Sequence, residues 1–236
     1  MNLFNTIKKD QEYWLVDQVK DESVLDQEYI EAFSSLLEEW REKQIGYLSL
    51  LMDARYEEWL LNQGFRKVST IVEYTRELNG DFTAESGISV EALADGGMAD
   101  SDFAELYEQC RSGSANKNNL FTIEQVMESL ENELGAEWRE SCFVFRKSGV
   151  PIGLSIPIIE QGTVDEGRLF YFGVMPEWRG KGYGAALHRI SLHLLKGIGA
   201  TTYVGSTDEA NHHMIGIFKR NGCVLRDRKG IYRIDR

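Results

Sequence analysis

The run Arg179-Gly-Lys-Gly-Tyr-Gly184 has the clearest chemical reading in this chain: three glycines at alternate positions, with Arg179 and Lys181 beside them. Glycines let backbone N–H groups converge, and at a helix N-terminus such a nest plus the helix dipole favours an anion, typically a phosphate. Downstream, Asp208, Glu209 and His212 cluster where a strand candidate opens into a helix. His212 and His213 are adjacent and cannot share a helix face, so they make a poor metal pair. Asp165 and Glu166 read as a surface turn. Cys110, Cys142 and Cys223 are odd in number and widely spaced, which points to a reducing compartment with neither a metal cluster nor a disulfide framework.

The glycine loop needs a strand before it and a helix after it, and the sequence supplies both. Leu169 to Met175 is a short apolar and aromatic run, of the kind that forms a strand buried on both faces. Pro176 ends the ladder because it has no N–H to give. From Leu187 the spacing becomes helical, with Leu187, Ile190, Leu194 and Ile198 on one stripe. Two familiar phosphate loops do not fit. A P-loop needs Ser or Thr after Gly-Lys and a Gly five positions earlier, where this chain has Gly182 and Met175. A dinucleotide fingerprint needs a third glycine where Leu187 stands, and an acid ending the next strand. The candidate strand Thr201–Ser206 has none before Asp208.

The chain's 236 residues suit one large domain or two small ones, and 42% hydrophobic residues can bury a core. The start lacks the apolar stretch of a signal peptide, and no window approaches a membrane span, so a cytoplasmic protein is expected. Residues 1–160 carry 14 Lys+Arg against 31 Asp+Glu, whereas residues 161–236 carry 12 against 7. The basic segment holds the glycine loop. The acidic remainder disfavours nucleic acid and suits a cationic partner, or simply solubility.

Residues 3–45 read as two helices, the first on the stripe Leu3, Ile7, Trp14, Leu15 and Val19, the second on Tyr29, Ile30, Phe33, Leu36, Leu37 and Trp40. A strand over Gly46–Met52, a helix over Arg55–Asn62 closed by Gly64, and an extended run Phe65–Leu78 follow. Asn79-Gly80-Asp81 marks a turn. Beyond it come a strand at Ile88–Leu93, a helix capped by Asp100 or Ser101 through Cys110, and a loop at Ser112–Asn119. A helix opened by a Thr122/Gln125 capping box runs through Leu134. Cys142–Arg146 and Ile152–Ile159 read as a hairpin turning at Lys147-Ser-Gly149.

Arg179, Gly182 and Gly184, with the flanking VMPEWRGKG and AALHRISLHLL, resemble the pyrophosphate loop of the GNAT superfamily of acyl-coenzyme-A-dependent N-acyltransferases. The stretch from Asn211 to Cys223 resembles that family's second motif, an Asn opening a helix that closes on Gly plus an apolar residue. The resemblance implies an α/β (α+β) protein: a GNAT-type mixed, splayed central sheet flanked by helices over residues 84–236, bulged near Gly173-Val174. Residues 1–80 share the helix–strand–helix–strand order of the last fifty residues. Their LLNQGFRKVSTIVEYTREL compares with FKRNGCVLRDRKGIYRIDR, suggesting an N-terminal partial GNAT-like half-repeat. It has no coenzyme loop, since Asp21–Gln27 holds no glycine and is rich in acids.

The implied function is N-acetyl transfer from acetyl-CoA, as co-substrate and without a metal, to a primary amine of a small molecule or peptide by direct attack in a ternary complex. A cationic acceptor is expected, with no nucleic acid or membrane partner and a monomer or homodimer. By the same resemblance, Val174 and Met175 offer backbone groups to the pantetheine arm. Gly180, Gly182, Tyr183, Gly184 and Ala185 form the phosphate cradle, with Arg179 and Lys181 as charged donors; Lys181 is equally a solvated lysine. Asn211 bonds the pantetheine arm, caps its helix, or both. The Tyr that many members use as acid is replaced here by Phe218, which packs but cannot donate. Tyr171 and Glu209 are the candidate catalytic residues. The alternative is a non-catalytic acyl-CoA-binding regulatory or interaction module.

Overall fold

The computed structural model describes residues 2–9, 11–80, 87–115 and 122–236. The chain divides into two compact units, residues 1–72 with 227–236, and residues 73–226.

The first unit opens with an antiparallel hairpin, β1 (Phe4–Lys9) and β2 (Tyr13–Gln18), paired from Phe4↔Gln18 to Lys9↔Tyr13. The helix expected here does not form. Trp14, Val16 and Gln18 are buried in alternation, the period of a strand, while Ile7 (64% exposed), Leu15 (37%) and Val19 (37%) of the supposed helical stripe face solvent. Helix α1 (Asp26–Glu42) buries Tyr29, Phe33, Leu37 and Trp40, spaced three and four apart on one face. It is followed by β3 (Tyr47–Asp53), α2 (Glu57–Asn62) and β4 (Arg66–Glu77), as the sequence predicts. The final strand β10 (Val224–Asp235) pairs antiparallel with β3, and β2 runs parallel to it. In this unit the strand order is β1-β2-β3-β10-β4. Phe33, Leu48, Leu50, Met52, Leu60, Phe65 and Tyr232 make its core.

In the second unit the order is β4-β9-β8-β7-β6-β5, with β5 at Ile88–Ala92, β6 at Phe143–Lys147, β7 at Val150–Ile159, β8 at Glu166–Val174 and β9 at Thr202–Asp208. The β6–β7 turn falls at Ser148-Gly149, both in the left-handed region at φ 49° and 81°. Helix α3 (Asp100–Arg111) packs Phe103, Leu106, Tyr107 and Cys110 against Leu154 and Ile156. Its N-cap is Ala99. Asp100 instead occupies the first turn, where its carboxylate suits the helix dipole and pairs with Arg139 at 2.7 Å. Helix α4 (Ile123–Leu134) starts at the expected Thr122/Gln125 capping box. Asp81 of the predicted turn and residues 116–119 of the predicted loop lie outside the described residues.

Helix α5 (Tyr183–Gly197) packs Leu187 and Ile190 on Phe145, Ile152 and Val174. Helix α6 (His212–Arg220) ends at Gly222 (φ 71°), where Cys223 N–H reaches back to the Phe218 carbonyl at 2.9 Å. Helix α2 ends identically: Gly64 stands at φ 93° and Phe65 N–H reaches Leu60 O at 3.1 Å. Among the described residues, no helix is long and apolar enough to cross a membrane.

Candidate active site

β8 and β9 are parallel neighbours that pair only at Glu166↔Thr202 and Gly167↔Tyr203. Beyond those pairs they diverge, and a cavity of about 770 Å³ opens between them. It is bounded by Leu169–Val174 on one side, Gly205–Thr207 on the other, and the ends of α5 and α6. The closed end lies at the last β8–β9 pair, the open end at the glycine loop.

The strand edges facing this notch carry backbone groups that pair with no strand there. Met175 N–H donates to Ile152 O of β7 at 2.9 Å, so in the antiparallel alternation its neighbour Val174 turns its N–H away from β7 and toward the notch. Unpaired main-chain groups require a partner, and an extended amide-containing chain laid along the notch supplies one. The ladder irregularity is not at Gly173-Val174. Those residues pair in register with Leu154 and Gly153, and the shift falls between Ile156 and Pro157, leaving Phe170 as the extra residue. Pro157 has no N–H for the ladder, which accounts for the position.

At the open end, Gly180 (φ 72°) and Gly182 (φ 90°) adopt left-handed conformations, and a Cβ on either would meet nothing within 4 Å. These glycines are required by backbone conformation, and the space beside them is open to a ligand. Gly182 is the N-cap of α5. That helix has no capping side chain and no acidic residue in its first turn, so its first amides remain available to an anion. Gly184 differs: a Cβ there would lie 2.7 Å from Ile217 Cδ1, so its smallness lets α6 approach α5.

Arg179 does not reach outward. Its Nε, Nη1 and Nη2 donate to the carbonyls of Val174, Ser112 and Cys110 at 2.9, 2.8 and 2.9 Å, binding the loop to β8 and to the end of α3. Lys181 is exposed, its ammonium 5.7 Å from the Trp178 ring centre. Tyr183 stacks edge-on to Trp178 and accepts from Lys147 Nζ. Met175, Lys181 and Tyr183 lie outside the cavity lining, whereas Val174, Arg179, Gly180, Gly182, Gly184, Ala185, Asn211 and Phe218 belong to it. Asn211 caps α6, its Oδ1 accepting from Met214 N–H at 3.1 Å while its Nδ2 donates to Thr207 Oγ1 at 3.1 Å.

Tyr171 lines the notch, stacked on Tyr107 with ring centres 3.9 Å apart. Burial raises its phenol above the ordinary value, so at neutral pH it is a donor and not a base. Glu209, between β9 and α6, lies outside the cavity lining. Burial likewise pushes the Cys110 thiol up to about 12, leaving it inert. Phe218 is 1% exposed, stacked on Tyr74 at 5.2 Å.

Sequence reading missed a polar cluster behind Phe218. His188 of α5 is fully buried, with Nε2 3.1 Å from Tyr203 Oη and Nδ1 2.9 Å from Asn221 Nδ2. Asn221 Nδ2 also donates to Ala185 O at 2.9 Å. The available signal was a histidine inside an apolar helix face, between Leu187 and Ile190. Among the described residues no group of three or more His, Cys, Asp and Glu side chains is placed to hold a metal.

Comparison with known proteins agrees with this geometry. Residues 102–223, just over half of the chain, match the model of the Acetyltransferase (GNAT) family. No curated protein matches. Among solved structures, a GCN5-related N-acetyltransferase from Sphaerobacter thermophilus aligns with a TM-score of 0.71 at 17% identity, covering 98% of this chain and 76% of its own. A GNAT-family acetyltransferase from Colwellia psychrerythraea gives 0.63 at 11%, covering 99% and 81%. A tandem GNAT protein from the clavulanic acid biosynthesis pathway gives 0.60 at 14%, covering 94% and 75%. With the family match, the divergent strands and the glycine-led helix, this chain belongs to the acetyltransferase (GNAT) family.

Proposed function

We propose that the protein is an N-acetyltransferase that moves the acetyl group of acetyl-CoA to a primary amine by direct attack in a ternary complex. One observation carries the reading: a notch between unpaired strand edges that ends at an uncapped helix N-terminus. That pairing suits a ligand with an extended amide arm and a phosphate end. The amides after Gly180 and Gly182 would hold the pyrophosphate, and Val174 N–H would bond the arm or polarise a carbonyl. When bound, the thioester supplies an activated acyl carbon.

The acceptor amine must arrive neutral, having lost its ammonium proton. Because the Tyr171 phenol stays protonated, the proton leaves by another route, through water or through His212 or His213, which line the cavity. The acidic bias of residues 1–160 supports a cationic acceptor, a polyamine or an amine-bearing peptide. Three buried free cysteines support a cytoplasmic setting. The matching Gly64 and Gly222 caps support residues 1–80 as a partial GNAT-like repeat without a coenzyme loop.

Thiol release from acetyl-CoA in the presence of a panel of polyamines, amino sugars and peptides tests the assignment. Turnover with one of them is expected. Phe218, which has no hydroxyl to donate, favours a second reading, a coenzyme-binding module without catalysis. Tight acetyl-CoA binding with no turnover across the panel would select it.

A further inference from the structure

We propose that the acceptor is an α-amino acid, its carboxylate received by the Tyr171 hydroxyl and the Arg111 guanidinium on the α3 side of the notch. The inference rests on the acetyl-transfer reading above and narrows its acceptor.

The cavity wall is selective in charge. Arg111, Arg179 and Arg220 line it together with His212 and His213, and among the described residues no Asp or Glu does. Yet the whole chain has 38 Asp and Glu against 26 Lys and Arg. The acidic bias of residues 1–160 therefore acts on approach and is not what a bound acceptor touches. An ammonium inside this wall meets no counter-ion, whereas a carboxylate finds cations and donors. The same field favours the neutral amine that attack requires.

This anion site is separate from the phosphate site. Val174 packs toward α5 with Leu187, and the phosphate-binding amides belong to that helix. Tyr171 turns to the opposite face of the sheet, stacked on Tyr107 of α3. A Cβ on Gly173 would lie 2.7 Å from Cys110 Cβ and 2.9 Å from Tyr171 Oη. The phenol thus reaches along β8 to the level of Gly173, one residue from Val174, whose N–H faces the notch. The ring is half-buried, and among the described residues its hydroxyl has no hydrogen-bond partner. Burial keeps it protonated against the Arg179 and Arg111 charges that act on it. Arg111 is held in place by Glu108, which lies outside the cavity lining and accepts from its Nε and Nη2 at 2.7 and 2.5 Å.

An α-amino acid fits because its amine and carboxylate share one carbon. With the carboxylate at Tyr171, the amine stands close by, at the level of the carbonyl that Val174 N–H would polarise. Leu169 and Phe170 offer apolar cover to its side chain. In the transfer the amine lone pair forms the C–N bond, and the C–S bond breaks with its electron pair on sulfur. The amine's proton leaves through water or the cavity histidines, and the carboxylate is unchanged.

The test is calorimetric titration of amino acids into the protein saturated with coenzyme A, each beside its decarboxylated amine: alanine and ethylamine, leucine and isoamylamine, phenylalanine and phenethylamine. At least one amino acid is expected to bind about tenfold or more tightly than its amine. Tyr171→Phe keeps the ring stack and removes the hydroxyl. It and Arg111→Gln are each expected to remove most of that difference, so either variant serves if the other fails to fold. Equal or absent binding within every pair, a preference for the amines, or a preference that survives in the folded variants overturns the inference. Failure of the wild type to bind coenzyme A overturns the reading of the notch instead.

Discussion

Arg179 Nε donates to the carbonyl of Val174 at 2.9 Å, so the arginine that opens the glycine loop is anchored to the last residue of the central strand. Its other two nitrogens hold Ser112 and Cys110 at the end of α3. The residue thus acts as a clamp that fixes strand, loop and helix in one geometry. Lysine cannot reproduce a planar three-way donor. Arg179→Lys is expected to lower stability by about 1–3 kcal/mol and to weaken acetyl-CoA binding at least about tenfold. Thermal unfolding and calorimetric titration check the two effects, and a variant indistinguishable in both would contradict the clamp.

Gly184 faces Ile217. In Gly184→Ala the new methyl would stand 2.7 Å from Ile217 Cδ1, a side-chain tip that has to move. A loss of about 1–2 kcal/mol is expected from overpacking. Ile217→Val removes the obstructing methyl, so the double variant should recover most of that loss, a coupling visible in a double-mutant cycle of denaturant midpoints. Purely additive effects would place the glycine's role elsewhere.

His188 makes stability depend on pH. Its native value near 3 lies below the unfolded value of 6.5, so from pH 6.5 downward the unfolded chain binds a proton that the native protein refuses. Stability is therefore fully present above about pH 6.5 and falls as pH drops toward 3, by about 1.4 kcal/mol per unit from this group. Carboxylates titrate in the same window, so the readout is the difference between wild type and His188→Gln. The variant's stability profile should be flatter by about one proton; parallel profiles would show that His188 is not the group responsible.

Both caps following α2 and α6 use glycine at positive φ. Gly64 stands at φ 93°, and only the far end of Ile234 lies near its Cβ position, at 3.5 Å. Gly64→Ala should cost about 1 kcal/mol through backbone strain alone. Urea unfolding measures it; a neutral result would mean that the α2 cap contributes nothing.

Local patterns made much of this molecule legible. The strand–glycine loop–helix order, the Thr122 capping box and the Asn211 cap depend on residues close in sequence, and each formed where the spacing indicated. The first nineteen residues were misread because Ile7, Leu15 and Val19 are apolar yet exposed, which hid the alternation of Trp14, Val16 and Gln18. The targets of Arg179 and the His188–Tyr203–Asn221 cluster were illegible for another reason. Their partners are backbone carbonyls or side chains brought together only by packing α5, β9 and α6. Gly182 and Gly184 looked alike in the motif, yet one serves a backbone conformation and the other a helix contact.

The central claim is that the notch between β8 and β9 binds acetyl-CoA with its phosphates at the amides after Gly182. The most direct measurement is calorimetric titration of acetyl-CoA into the wild type and Gly182→Asp. The space beside Gly182 admits the side chain, and aspartate tolerates a left-handed residue at a cost of about 1–3 kcal/mol, which thermal unfolding of the variant would confirm. Its carboxylate would occupy the helix amides and repel phosphate. One-to-one binding at about 100 μM or tighter is predicted for the wild type, with none detectable for the folded variant. Equal affinity in both proteins, or none in the wild type, would contradict the account.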